Sequence, residues 1–538
     1  MLSEDRFFEG RDLAKAWERY CGFLDLSLDE FMGIQNHLLM EEVEVVHGSQ
    51  LGQRLVGMDE RPQTLDEFRK RVPLTSYEDY APFIGERQED VLAQPPAYWT
   101  HTSGRGGKFK WIPYTERADE VFCRNIISMA ILGLASKRGE VGLRPGVKVL
   151  SNLPERPYIS GCLAFNIAKR FTWFNIPPLD LAEKMEFQER IERGFKIALR
   201  DEVDLVISMS SVLIKIGDLF SEGTQRMKFA PFMMHPRILS RLGRAKLASR
   251  REKRAMLPKD LWNIKGVISW GTDIGIYKEK IKQCWGKEPL EFYAFAEAGL
   301  IALQSWNKKG MTFLPHTAFY EFIPEAEWLK CREDRSYKPG TVLMDELKPG
   351  GVYELVVTNF YGMPFLRYRV GDLVKIVALR DEEAGVNLPQ MVFQSRADGI
   401  VDIGGFTRLD EKVIWQAIAN THIKYVDWTA RKETENGDSV LRLYIELYEQ
   451  VHPKKLEEMV HEQLKLMDRD YSNLETMLNM RPLRVTLLPK GAFQRFYNSK
   501  RLAGYDLAHL KPPHINAHQA TIDELSQAGF TAGLKAQG

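Results

Sequence analysis

Three short apolar runs, residues 147–150, 205–209 and 266–270, are separated by stretches long enough to hold a helix each. Strands joined in this way pair in parallel, because a parallel pair needs a crossover connection whereas a hairpin does not. The spacing therefore predicts an α/β fold, with a sheet that has a substantial parallel part and helices covering both faces. A fourth run, 352–358, extends the sheet. Residues 1–90 read as helices joined by short polar turns. Ser76 is placed to cap one of them, with Asp79 three residues on in capping-box spacing. The last stretch differs. Runs 425–430 and 440–446 flank Asn436-Gly437, a strong hairpin pair, and 455–467 follows with helical periodicity before a further strand at 483–488. This is a smaller α+β unit, with its boundary near Ser395.

A chain of 538 residues exceeds one compact core, so at least two domains are expected. Lys and Arg total 74 against 73 Asp and Glu, a net charge of +1, which gives no reason to expect a nucleic-acid partner. The 5 cysteines are scattered, without a Cys-x-x-Cys pair, which fits a reducing compartment and argues against a zinc site. Residues 1–20 lack the apolar segment of a secretory signal, and the longest apolar stretch, 126–135, is about half of a membrane span. The expectation is a cytoplasmic protein with no membrane partner; oligomeric state is not readable.

Five constellations bear on chemistry. Thr102-Ser103-Gly104-Arg105-Gly106-Gly107-Lys108-Phe109-Lys110 combines small residues, hydroxyls and cations, the makings of a phosphate cradle, without Walker spacing. A plain surface loop is the alternative. Glu297, in Tyr293-Ala294-Phe295-Ala296-Glu297, offers an oxygen ligand to Mg2+ or a helix cap. Arg367, Arg369 and Asp372 crowd Leu366-Arg367-Tyr368-Arg369-Val370-Gly371-Asp372, where an aspartate suits ribose hydroxyls and arginines suit anions or structural ion pairs. Three glycines near Arg396 make a hinge candidate. Lys511 precedes Pro512, which favours an extended backbone at the lysine. A basic stretch, 237–254, reads either as a solvated helix face or as a contact for an anionic co-substrate.

In this order the motifs resemble the adenylate-forming superfamily, and within it the auxin-responsive acyl acid–amido synthetases and their bacterial-type relatives, with phenylacetate–CoA ligases a near second. Tyr368-Arg369-Val370-Gly371-Asp372 matches the family motif as it stands; residues 73–84 and 102–110 are similar to its entry and phosphate loops. Two departures stand out. The phosphate loop is one residue short, with Arg105 in place of a second hydroxyl pair, and Ala296 replaces a serine.

The resemblance implies a large N-terminal adenylation domain, 1–394, with mixed and parallel sheets covered by helices, and a smaller mobile α+β domain, 395–538. It implies ATP and Mg2+, with Glu297 on the metal and Lys511, Glu297 and Lys110 in catalysis. Nucleotide contacts are implied for Thr102, Ser103, Gly104, Arg105, Gly106, Gly107, Lys108, Gly271, Thr272, Tyr293, Arg369, Asp372 and Arg396. The implied activity is an ATP-dependent ligase that joins a small carboxylic acid to an amino acid. The alternatives are an acyl-CoA synthetase, with CoA as acceptor, and a non-catalytic nucleotide-binding relative.

Overall fold

The computed structural model describes all residues except 1, 11–12, 57–59, 104–108, 152, 154, 186, 224–233, 272–273, 335, 398, 404–406, 503–513 and 528–538. The chain divides into two compact units, Met1–Trp270 with Tyr277–Ser395, and Gly271–Ile276 with Arg396–Gly538.

The larger unit opens with helices. Ser27 starts Leu28–His47 through a capping box with Glu30, and Ser76 starts Tyr77–Ile84 through one with Asp79, the cap that the sequence predicts. A hairpin follows, β1 (Tyr98–Ser103) against β2 (Phe109–Tyr114), with Thr102 opposite Lys110. The main sheet comprises β3 (Val147–Ser151), β4 (Trp173–Ile176), β5 (Leu205–Met209), β6 (Gly266–Trp270), β7 (Pro289–Phe295), β8 (Gly299–Gln304), β9 (Met311–Phe313), β10 (Ala318–Pro324), β11 (Val352–Asn359), β12 (Tyr368–Ala378) and β13 (Gln390–Arg396). Its order is β10-β11-β12-β13-β9-β8-β7-β6-β5-β3-β4. Strands β4, β3, β5, β6 and β7 run parallel, as the spacing of the apolar runs predicts, whereas β7-β8-β9 and β10-β11-β12 are antiparallel. This is the mixed α/β architecture expected.

The apolar stretch 126–135 lies within the helix Glu116–Leu134 and its C-cap, against the sheet. Gly133 and Gly266 let helix and β6 approach closely: a Cβ at Gly266 would meet the Gly133 carbonyl oxygen at 2.4 Å. Among the described residues no helix is long and apolar enough to cross a membrane. Val203, Val206, Leu213 and Ile214 pack into a core cluster with Trp262 and Trp285.

In the smaller unit β14 (Val401–Ile403) pairs with β15 (Thr407–Leu409), and β16 (Tyr425–Glu435), β17 (Asp438–Leu447) and β18 (Leu483–Leu487) form one sheet in chain order. Asn436 and Gly437 both have positive φ, 53° and 84°, as a tight type I′ hairpin turn requires. Parallel pairing of β17 with β18 uses the crossover helices Pro453–Met467 and Arg469–Leu478.

Candidate functional site

The site forms where the antiparallel part of the large sheet meets the β1–β2 hairpin. Tyr293 lies on β7, and its hydroxyl donates to Asp372 Oδ2 on β12 at 2.5 Å. Both residues are buried. Gly371, at φ 76°, stands at an irregularity in the β11–β12 pairing: Val356 faces Arg369 and Glu354 faces Leu373, so β12 carries extra residues there. A glycine tolerates that conformation, and the resulting bulge re-aims the next side chain, Asp372.

Glu297 occupies the tight turn between β7 and β8, so its helix-capping reading is wrong; strand pairing of Phe295 with Gly299 closes a hairpin there instead. Three groups hold this turn. The Tyr368 hydroxyl donates to Glu297 Oε1 at 2.8 Å, Asn359 Nδ2 donates to the Glu297 carbonyl at 3.0 Å, and the Tyr114 hydroxyl donates to the Ala296 carbonyl at 2.7 Å. Glu297 itself is half-buried.

The loop before Tyr77 packs beside the same strand. Thr75 N–H donates to the Arg367 carbonyl at 3.0 Å, and Arg369 N–H donates to the Thr75 carbonyl at 2.8 Å. Tyr77 then faces the hairpin. Its hydroxyl donates to the Trp111 carbonyl at 3.2 Å, and the Lys110 ammonium sits 4.8 Å from its ring centroid, within cation–π range. Burial, together with the nearby Glu297 carboxylate, pushes the Tyr77 phenol up to about 12, against the hydrogen bond to Trp111. Lys110 and Glu297 thus share one tyrosine as neighbour.

The arginines of the motif are engaged elsewhere. Arg367 is buried in a bidentate pair with Glu321, 2.9 Å on each arm, and also donates to the carbonyls of Arg69 and Val72 at 2.6 and 2.7 Å. Arg369 pairs with Glu354 at 2.9 and 2.5 Å. Both guanidinium groups thus form ion pairs, that of Arg367 buried and that of Arg369 partly exposed. Gly271 follows β6 with φ 135°, and Arg396 ends β13. Thr102 and Ser103 end β1. Gly104, Arg105, Gly106, Gly107, Lys108, Thr272 and Lys511 lie outside the described residues.

Sequence reasoning missed Tyr77, Tyr114 and Asn359 as supports, since each reaches a backbone carbonyl far along the chain that no local pattern marks. Tyr368 was in view as part of its motif, but its partner lies 71 positions away.

Family models match the chain in three places. The N-terminal domain of the GH3 family matches residues 22–153, its central domain 311–396 and its C-terminal domain 411–520, in chain order and together over more than half of the sequence. The chain belongs to the GH3 family. Similar GH3 proteins include a jasmonoyl–L-amino acid synthetase, GH3.5, from Oryza sativa subsp. japonica, 24% identical over 40% of this chain, and an indole-3-acetic acid-amido synthetase, GH3.15, from Arabidopsis thaliana, 25% identical over 39%. These matches span 39% and 37% of the relatives' own lengths. Among solved structures, the GH3.15 acyl acid amido synthetase in complex with 2,4-DB is similar over 96% of this chain and 97% of its own, with 18% identity and a TM-score of 0.54. A 2-hydroxyisobutyryl-CoA ligase is similar over 86% and 87%, with 14% identity and a TM-score of 0.56. At these identities the likeness concerns the fold alone.

Proposed function

We propose that this GH3 chain is an ATP-dependent ligase that activates a small carboxylic acid as its adenylate and passes the acyl group to an amino acid. The observation that carries this reading is the junction of two motifs at one site: Tyr293 on Asp372, and Tyr368 on Glu297. The names of its relatives, amido synthetases for jasmonate and for indole-3-acetic acid, favour the same activity. In this reading residues 1–394 hold ATP and the acid, and 395–538 form the smaller, mobile domain that brings Lys511.

In the first step an oxygen of the acid attacks the α-phosphorus of ATP and pyrophosphate leaves. In the second, the amine attacks the acyl carbon and AMP leaves. Neither step needs a covalent protein nucleophile; both need negative charge balanced and reactants aligned. Lys110 supplies a cation beside the hairpin of the phosphate loop, whose residues Thr102 to Lys108 would cradle phosphate. Asp372, fixed by Tyr293, supplies the acceptor that ribose hydroxyls need, and the Tyr293 ring supplies a face for adenine. Gly271, Thr272, Arg369 and Arg396 complete the proposed nucleotide contacts, with Arg369 acting through its pair with Glu354.

Glu297 fits a Mg2+ ion. It is a half-buried carboxylate with Oε1 oriented by Tyr368, and Mg2+ favours one or two carboxylates together with substrate phosphates and water. When bound, the ion would neutralise phosphate charge. The five free cysteines suit the cytoplasm as the compartment. The test is acid-dependent pyrophosphate release from ATP, followed by product mass: an amide supports the proposal, a CoA thioester replaces the acceptor, and ATP binding without release makes the protein a binding relative.

A further inference from the structure

We infer that the outward face of the helix Pro236–Arg251 is a peripheral docking surface for an anionic lipid bilayer. This helix carries no acidic residue anywhere along its length. Its inner face is accounted for: Ile238 and Ala245 are buried in the core cluster, and the Arg241 guanidinium donates to the carbonyls of Ala198 and Leu199, both at 2.9 Å, near the end of the helix Phe187–Arg200.

The outer face is different. Arg237, Arg244, Lys246, Arg250 and Arg251 are all exposed, and none has an ion-pair partner among the described residues. The next arginine along, Arg254, is by contrast neutralised by Asp260 at 2.6 Å. The two leucines of this face, Leu239 and Leu247, are 45% and 52% exposed, and stand eight residues apart with Gly243 midway. At helical spacing these three positions form one strip. Lys246 and Arg250 flank it on one side and Arg244 on the other, and Arg251, four residues after Leu247, continues it. Among the described residues nothing lies within 4 Å of where a Gly243 side chain would begin, so the middle of the strip is open.

The chemistry selects the occupant. A convex helix face cannot enclose a small anion such as a nucleotide, but it can lie against a plane. Phosphates of a nucleic acid would satisfy the cations and leave the leucines in water. An anionic bilayer satisfies both: phosphate and carboxylate headgroups face the cations, and the acyl boundary takes the leucines. The expectation of no membrane partner rests on the absence of a spanning segment, which does not bear on a surface contact of this kind.

The test is sedimentation of the full chain with vesicles of phosphatidylcholine alone and of phosphatidylcholine mixed with phosphatidylserine. Retention on the mixed vesicles only, falling as salt is raised, is expected. Each cation near the surface strengthens binding about fivefold, so Arg244→Glu with Arg251→Glu weakens it by about thirtyfold or more on the same basis. Leu239→Ser with Leu247→Ser, which leaves charge unchanged, weakens it about tenfold. All four positions are exposed, and the melting temperature of each variant checks that the fold is kept. No retention on anionic vesicles at low salt overturns the inference. So does retention that the leucine replacements leave unaltered, or binding to a single-stranded RNA that is tighter than to the vesicles.

Discussion

The Tyr293 hydroxyl donates to Asp372 Oδ2 at 2.5 Å, although their strands, β7 and β12, are separated in the sheet by β8, β9 and β13. Across a flat sheet four strand spacings amount to about 19 Å. The bond therefore requires the antiparallel part of the sheet to curl until β7 and β12 face each other. Tyr293 also lies 6.1 Å from the Phe393 ring of β13, inside the same curl. Curling brings the two motifs to one place, and each then orients a carboxylate of the other through a tyrosine.

Replacing Tyr293 by Phe removes the donor and keeps the ring. A hydrogen bond to an ionised group contributes about 1.5–3 kcal/mol. The KM for ATP in pyrophosphate release is expected to rise about tenfold to a hundredfold on that basis, with the acid's KM unchanged. Asp372→Ala is expected to cost more than Tyr293→Phe, and equal losses would mean that Asp372 has no role beyond the pair.

Tyr368→Phe frees Glu297 Oε1 while leaving the turn held by Asn359 and Tyr114. The variant should fold normally and need more Mg2+ for half-maximal rate. A magnesium titration reads this directly; an unchanged midpoint would remove Glu297 from the metal.

Lys110 rests over the Tyr77 ring and makes no ion pair among the described residues, so Lys110→Met should leave the melting temperature nearly unchanged. One preorganised charge at a phosphoryl centre contributes about 3 kcal/mol, so the rate should fall about a hundredfold or more. Single-turnover kinetics of adenylate formation separate this from weaker ATP binding.

In the smaller unit the charged His514 ring donates to both Glu411 Oε1 at 2.6 Å and Asp427 Oδ1 at 2.8 Å, and stacks on Trp428 with ring centroids 4.6 Å apart. Burial disfavours its charge, but the two carboxylates outweigh it and raise the imidazole above its usual value. A raised folded-state value stabilises the fold fully below the unfolded histidine's pKa of about 6.5 and loses that contribution as pH rises through the folded value. Unfolding followed by tryptophan fluorescence should show this loss on the alkaline side, and His514→Gln should abolish the slope. A variant that keeps the wild-type slope would assign it to another group.

Much of the fold was legible because its periods are strong. The runs 205–209 and 266–270 became β5 and β6 with the same limits, and Asn436-Gly437 turned the chain as its dihedral preferences require. The turn at Glu297 was misread for a physical reason: Tyr293–Ala296 is short and apolar, and a run of that length does not separate a strand from a helix end. The site was legible as motifs but not as contacts. Tyr368 reaches Glu297 only after the sheet has curled, and Tyr77 reaches Lys110 only once its helix packs on the hairpin; no local pattern encodes either contact.

The most direct measurement is pyrophosphate release by the purified chain from Mg-ATP, across a panel of aromatic and aliphatic acids with pooled amino acids or CoA as acceptor. The account predicts release that depends on one class of acid, an acyl–amino acid amide as product, and loss of both in Asp372→Ala. Release that persists undiminished in Asp372→Ala, or bound ATP that no acid converts, would contradict it.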